Sequence, residues 1–387
     1  MARRFLLSAM ILLAASAAGG EEAGSNVWQY SPELLRPFWQ GDTMYGESVL
    51  FLKDDAAGEP HAAVLFPIDK VVAVKNSAGD ITYDEGRDYT WQKGSREIRL
   101  TPNTRITFSK PADLRRPPNT QPFHLQHRDG KSDILFGGRL EYHERQTGIT
   151  YTHASNAWKG PLIKSNAAAL PKTSAKLQNG DGLKILIIGD SISTGCNASG
   201  WAGGPPYQPA YPELLRQSLE HHHQCKVSLT NLSVGGMATP WLLTMFDKVV
   251  ADKPDLVIIA FGMNDAAGIP AKDYQTNIRA AIEKIRAQLP ECEFILVATM
   301  LGNRDWIALE QELFPAYRDA LRELCGPGIA LADVTSVWTE ILKVKQDWDQ
   351  TGNGVNHPND FGHRVYAQVL ASLLLPNATA DASTPAR

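Results

Sequence analysis

The sequence predicts an α/β protein: a parallel sheet with helices on both faces in the second half, preceded by a small antiparallel β-sandwich. Three features carry the prediction. From Leu183 onward, short apolar runs alternate with stretches of helical period, the pattern of a sheet buried on both faces. Between Val27 and Leu162 the apolar runs are short or alternating, turn residues separate them, and no long stretch has helical period. The join, "KSNAAALPKTSAKLQNGDG" from Lys164 to Gly182, is small, polar and broken by proline and glycine, the texture of a linker.

In the first half, "SVLFL" (48–52), "HAAVLF" (61–66), "KVVAVKN" (70–76), "REIRLTP" (96–102) and "RITFS" (105–109) are expected strands. "SAGD" (77–80) and "DEGRD" (84–88) are expected turns. Trp28, Trp39, Tyr45 and Trp91 are expected mainly in the core, with stacking on sugar as the competing role. In the second half the expected strands are 184–188, 226–232, 255–261, 293–299 and 329–333. Helices are expected over 211–223, 240–251, 272–288, 307–324 and 361–375.

The two ends differ from the rest. Arg3 and Arg4 precede an apolar run, Phe5 to Ala15, too short to span a bilayer, and Ala15-Ser16-Ala17 offers small residues for cleavage. Residues 1–20 therefore resemble a secretory signal peptide, and the expected location is secreted or periplasmic. The chain divides into that peptide, a β-sandwich accessory domain (27–163), a linker (164–182), an α/β domain (183–376) and a polar, disordered tail (377–387). No later stretch is long and apolar enough to cross a membrane. The net charge of −4 carries no basic excess for nucleic acid or an anionic membrane. Cys196, Cys225, Cys292 and Cys325 have neither the density of a disulfide scaffold nor the spacing of a zinc site.

Chemistry is expected at strand ends, because open α/β sheets bind ligands outside the carboxyl ends of their strands. "KILIIGDSISTG" (184–195) puts Ser191 just past the first strand of the sheet. A serine is a weak nucleophile unless a base takes its proton. "NLSVGGMAT" (231–239) follows the second strand and offers backbone N–H at Gly235 and Gly236. "AFGMND" (260–265) follows the third and offers the Asn264 amide. "GNGVNHPND" (352–360), before the last helix, offers the His357 imidazole. A hydroxyl, two kinds of N–H donor and a base are the parts of acyl transfer. Each piece alone has a bland reading: Gly-Asp-Ser as a turn, Asn264 as a helix cap, His357 as a surface residue. Asn197-Ala-Ser and Asn377-Ala-Thr also match the glycan-acceptor pattern.

Taken in order, the four blocks resemble the SGNH hydrolases, the GDSL-type esterases, over Leu183 to Leu375. "GDSIS" matches the Ser block, "SVGG" the Gly block through Gly236 with Gly235 the alternative, "GMND" the Asn block, and "NHPND" the His block. The resemblance implies a flavodoxin-like three-layer α/β/α domain. It implies Ser191 as nucleophile, His357 as base, and an oxyanion hole of Ser191, Gly236 and Asn264, with no metal or organic cofactor. The N-terminal half, a small jelly-roll-like β-sandwich, resembles the domain preceding some exported bacterial carbohydrate esterases.

One position departs from the family. Three residues before the histidine, where an aspartate usually orients the imidazole, this chain has Gly354. The expectation is a Ser191–His357 dyad with the imidazole held by Asn353 or a backbone carbonyl, and Asp349 as second choice. The expected function is hydrolysis of short acyl esters, acetyl on carbohydrate foremost. The competing readings are a lipase or thioesterase of the same family, and a carbohydrate-binding protein with an inactive hydrolase domain.

Overall fold

The computed structural model describes residues 28–54 and 58–376; the expected signal peptide and the tail from Asn377 lie outside them. The first half builds β1 (Thr43–Leu50), β2 (His61–Ala63), β3 (Lys70–Asn76), β4 (Tyr89–Trp91), β5 (Glu97–Leu100), the short β6 (Arg115–Arg116) and β7 (Asp133–Ile134), and β8 (Gln146–Thr152), after a helical turn α1 (Pro32–Leu35). β1-β8-β3 and β2-β5-β4 form two antiparallel three-stranded sheets, and β6 pairs with β7. Val49, Val74, Ile149 and Tyr151 from one sheet and Ile98, Leu100 and Tyr89 from the other are buried. Trp39 is buried beside Phe38, while Trp28, Tyr45 and Trp91 are half-buried.

Two expectations here need correction. "RITFS" forms no named strand; only Ser109 bridges, to Leu52. The Asp88 carboxylate instead takes both the backbone N–H of Arg105, at 2.9 Å, and its Nε, at 3.0 Å, so this backbone turns away from a ladder. The central strand β8 was not expected, because Gly148 interrupts its alternation.

The segment 164–182 is not loose chain throughout. It carries α2 (Pro171–Asn179), with Pro171 in the first turn and Gly180 at φ +74 as its left-handed cap. These are the residues whose punctuation suggested a linker; proline at the start and glycine at the end also delimit a helix. The Glu293 carboxylate receives the N–H of Lys172 and Thr173, and Leu177 is buried.

The second half then runs β9 (Leu183–Gly189), α3 (Ser191–Thr194), α4 (Ser199–Ala202), α5 (Tyr211–His223), β10 (Val227–Asn231), α6 (Thr239–Leu242), α7 (Phe246–Asp252), β11 (Leu256–Ala260), α8 (Ala271–Gln288), β12 (Glu293–Ala298), α9 (Leu313–Arg322), β13 (Ile329–Asp333), α10 (Val334–Ile341), α11 (Asp347–Gln350) and α12 (Asp360–Leu374). The five strands are parallel in the order β10-β9-β11-β12-β13, the flavodoxin-like order. Ile185 to Ile188 and Phe294 to Val297 are fully buried, as a sheet covered on both faces requires. α8 buries Tyr274, Ile278, Ala281, Ile282 and Ile285, one helical stripe.

Three helical expectations shift. Residues 240–251 split into α6 and α7, α9 starts at Leu313 rather than Ile307, and α10 was unforeseen. Residue 307 lies in a loop, its N–H on Gln126 O at 3.1 Å.

α12 is buried from Phe361 to Leu374 on every side. Its outer face lies under the N-terminal half. Arg364 donates to Tyr45 O and Gly46 O, and Gln368 bonds Leu34 O and Phe38 N–H. The two halves thus share one hydrophobic core. Among the described residues no helix is long and apolar enough to cross a membrane.

Candidate active site

The strand ends bring three of the four blocks together. β9 pairs β10 through Ile187–Asn231 and β11 through Gly189–Ala260, so the loops after these strands are neighbours. The strand order reverses here, where such sheets place their ligand. Asp190 caps α3, its Oδ1 receiving Ile192 N–H at 2.9 Å, which sets Ser191 in the first turn. Burial pushes the Asp190 carboxyl up to about 7. Val234 N–H donates to Gly189 O at 3.1 Å, laying the Gly block against the Ser block; Gly236 is exposed with φ +77.

Asn264 is half-buried, and its Nδ2 donates to Met237 O at 2.9 Å, tying the third loop to the second. Asp265 locks that junction. Its buried carboxylate receives Thr239 N–H at 2.9 Å, Thr239 Oγ1–H at 2.6 Å and Gly262 N–H at 3.1 Å. Burial raises its pKa.

His357 arrives from the loop before α12. Its Nε2 lies 2.8 Å from Ser191 Oγ. Ser191 is 6% exposed and His357 7%. Burial, and secondarily His363, lower the His357 pKa to about 3, so the imidazole is neutral and able to accept a proton at neutral pH.

The expected imidazole partners are not at the ring. Asn353 Oδ1 receives the N–H groups of Val355, Asn356 and His357, at 2.9, 3.0 and 3.1 Å, so it shapes the loop's backbone. Asp349 faces the N-terminal half, receiving Leu50 N–H at 2.8 Å and Gln346 N–H at 3.0 Å. Sequence proximity to His357 singled them out, but the chain turns both away.

The atom beside His357 Nδ1 is Asn197 Oδ1, at 2.9 Å, from the loop after α3. In the sequence Asn197 stands out only through the glycan-acceptor pattern; it is 8% exposed and in contact with His357. The missing aspartate also has a steric account. Gly354 has φ +77, and a Cβ there would lie 2.1 Å from Tyr142 Oη, so a residue of the N-terminal half fills the space an acid would need.

Residues 187–365 match the model of the GDSL-like lipase/acylhydrolase family. That stretch is similar to the GDSL-type SGNH hydrolases, and the fold and the order of the four blocks agree with the likeness. An arylesterase from Vibrio mimicus is 32% identical over 105 residues, 27% of this chain; the match spans 48%, about half, of that curated relative. Among solved structures, an acetyl-xylooligosaccharide esterase variant from Geobacillus stearothermophilus is similar at TM-score 0.41 and 20% identity, covering 50% of this chain and 94% of that one. A two-domain esterase active on acetylated mannans is similar at TM-score 0.44 and 19% identity, covering 56% of this chain and 55% of that one.

If Asn264 holds an oxyanion, Asn264→Ala is expected to lower kcat by about 10²–10³, the usual effect of losing one such donor. Steady-state kinetics on a nitrophenyl ester check this. A change confined to KM would make Asn264 a tie to Met237 only.

Proposed function

We propose that the protein is an exported serine esterase that hydrolyses short acyl esters, acetyl esters of carbohydrate foremost. The observation that carries the reading is the buried 2.8 Å contact between His357 Nε2 and Ser191 Oγ. His357 takes the hydroxyl proton as Ser191 Oγ attacks the ester carbonyl. The N–H groups of Ser191 and Gly236 and the Asn264 amide receive the oxyanion. The C–O bond to the alcohol breaks as His357 returns the proton to it. Water, activated by the same base, then releases the acid and frees Ser191.

The small exposure of Ser191 favours a small acyl group. Trp201, 37% exposed, lies on α4 with the Arg139 guanidinium over its ring, and Tyr207, 42% exposed, lies on the loop after α4; both leave aromatic surface for a sugar. The signal-peptide-like residues 1–20 support export. An arylesterase among the relatives agrees with an ester substrate.

A chain-length series of nitrophenyl esters tests the proposal. The acetate is expected to be the best substrate, with acetylated polysaccharide also turned over. A maximum at long acyl chains would make the protein a lipase or thioesterase. No turnover, with no labelling by a fluorophosphonate, would leave a binding protein.

A further inference from the structure

We propose that Asn197 is the positioning residue of the catalytic base, so that the site works as a Ser191–His357–Asn197 set with an uncharged third member. The proposal rests on the serine-esterase reading above.

The amide orientation is determined by its surroundings. Asn197 Nδ2 donates to Gly352 O at 3.0 Å, and a carbonyl oxygen can only accept. Oδ1 therefore faces His357 Nδ1 at 2.9 Å and can only accept as well. The ring must carry its proton on Nδ1, which leaves the Nε2 lone pair for the Ser191 hydroxyl. That is the tautomer a general base needs, and holding it is what the carboxylate of a triad does.

The seat of Asn197 is equally specific. Its backbone lies at φ +66, in the left-handed region that asparagine tolerates better than most residues. A Cβ on Gly352 would come 2.7 Å from Asn197 Cβ, so only glycine lets the amide approach this loop. Gly352 N–H in turn donates to His357 O at 2.9 Å, closing the loop on the residue it presents.

Among the described residues no carboxylate takes the same place. Asp347 lies 3.5 Å from Arg304, Asp349 faces Leu50, and Asp360 Oδ1 receives Ser199 N–H at 2.7 Å. The remaining titratable neighbour is His363 on α12. Its Nδ1 lies 3.4 Å from Tyr211 N and its Nε2 3.3 Å from Cys196 O, a donor on one side and an acceptor on the other, which suits the neutral ring. Burial lowers its pKa to about 4. Among the described residues, the imidazolium formed during turnover therefore has no counter-charge in contact with it. A carboxylate at position 197 would supply one.

The test compares wild type, Asn197→Ala and Asn197→Asp on nitrophenyl acetate across pH, with thermal unfolding and ¹⁵N NMR of the histidine rings. Asn197→Ala is expected to lower kcat by on the order of 10²-fold, within the range a positioned base supplies, with KM within a few-fold. It should also lose the His357 Nδ1–H signal that wild type shows. Asn197→Asp is expected to move the acid limb of kcat/KM upward by about 1–3 pH units, because an adjacent negative charge favours the imidazolium. That shift is one a purely structural role would not produce. An Asn197→Ala kcat within about threefold of wild type, or an unmoved acid limb in Asn197→Asp, would overturn the proposal. The NMR signal decides the matter even where a variant is poorly active. Wild type that neither hydrolyses esters nor takes a fluorophosphonate would overturn the serine-esterase reading itself, and this proposal with it.

Discussion

Ser191→Ala is expected to lower kcat on esters by on the order of 10⁶, the size of effect seen when a catalytic serine is removed from a set that acts as a unit. The reason is positional. Ser191 follows β9 at the reversal of strand order, its hydroxyl is in contact with a neutral imidazole, and its carbonyl is used elsewhere, accepting from Thr194 Oγ1 at 2.8 Å. Among the described residues the hydroxyl makes one hydrogen bond, to His357, with a net worth of about 0.5–1.5 kcal/mol. The variant should therefore fold and melt close to wild type while losing turnover and fluorophosphonate labelling together. Persistent labelling at the wild-type rate would move the nucleophile to another residue.

Much of this site can be read along the chain because its parts obey local rules. Ser191, Gly236 and Asn264 each follow an apolar strand within a few residues, and His357 precedes the last helix. The partner of His357 obeys no such rule. Asn197 reaches His357 across 160 positions, and its neighbours in sequence, a cysteine and an alanine, do not signal it. Asn353 and Asp349 were favoured by proximity, yet a side chain four residues away in a tight loop is better placed to hold backbone N–H groups than to reach the far side of a ring. The blocked acid position at Gly354 is a tertiary fact, since Tyr142 lies more than two hundred residues earlier. The fold shows the same division. The fully buried strands β9, β11 and β12 stand out as unbroken apolar runs. β8 does not, because its side chains alternate between buried and half-buried and Gly148 breaks the pattern.

Lys345→Ala is expected to destabilise the protein by about 3–5 kcal/mol, the effect of leaving a buried charge without its partner. Lys345 is 1% exposed and its Nζ lies 3.0 Å from Glu47 Oε1 and 3.7 Å from Asp349 Oδ2, while donating to Ala63 O at 2.6 Å. Glu47 is itself fully buried and receives Leu65 N–H at 2.8 Å and Tyr151 Oη–H at 2.7 Å. Glu47, Ala63, Leu65 and Tyr151 belong to the N-terminal half, and Lys345 and Asp349 to the C-terminal half, so the network joins the two. Removing the ammonium strands two carboxylates in an apolar junction. Replacing both partners, Lys345→Met with Glu47→Gln, removes opposite charges together and is expected to cost less than the single change. Because the network spans both halves, calorimetry on Lys345→Ala should show the whole described chain lost in one transition at lower temperature. A fragment from Leu183 onward would lack Glu47 and Ala63 and expose to water the apolar surface the N-terminal half covers, so it is expected to be unstable alone. Two separate transitions, with only one moved by Lys345→Ala, would show instead that the halves fold independently and that the ion pair does not couple them.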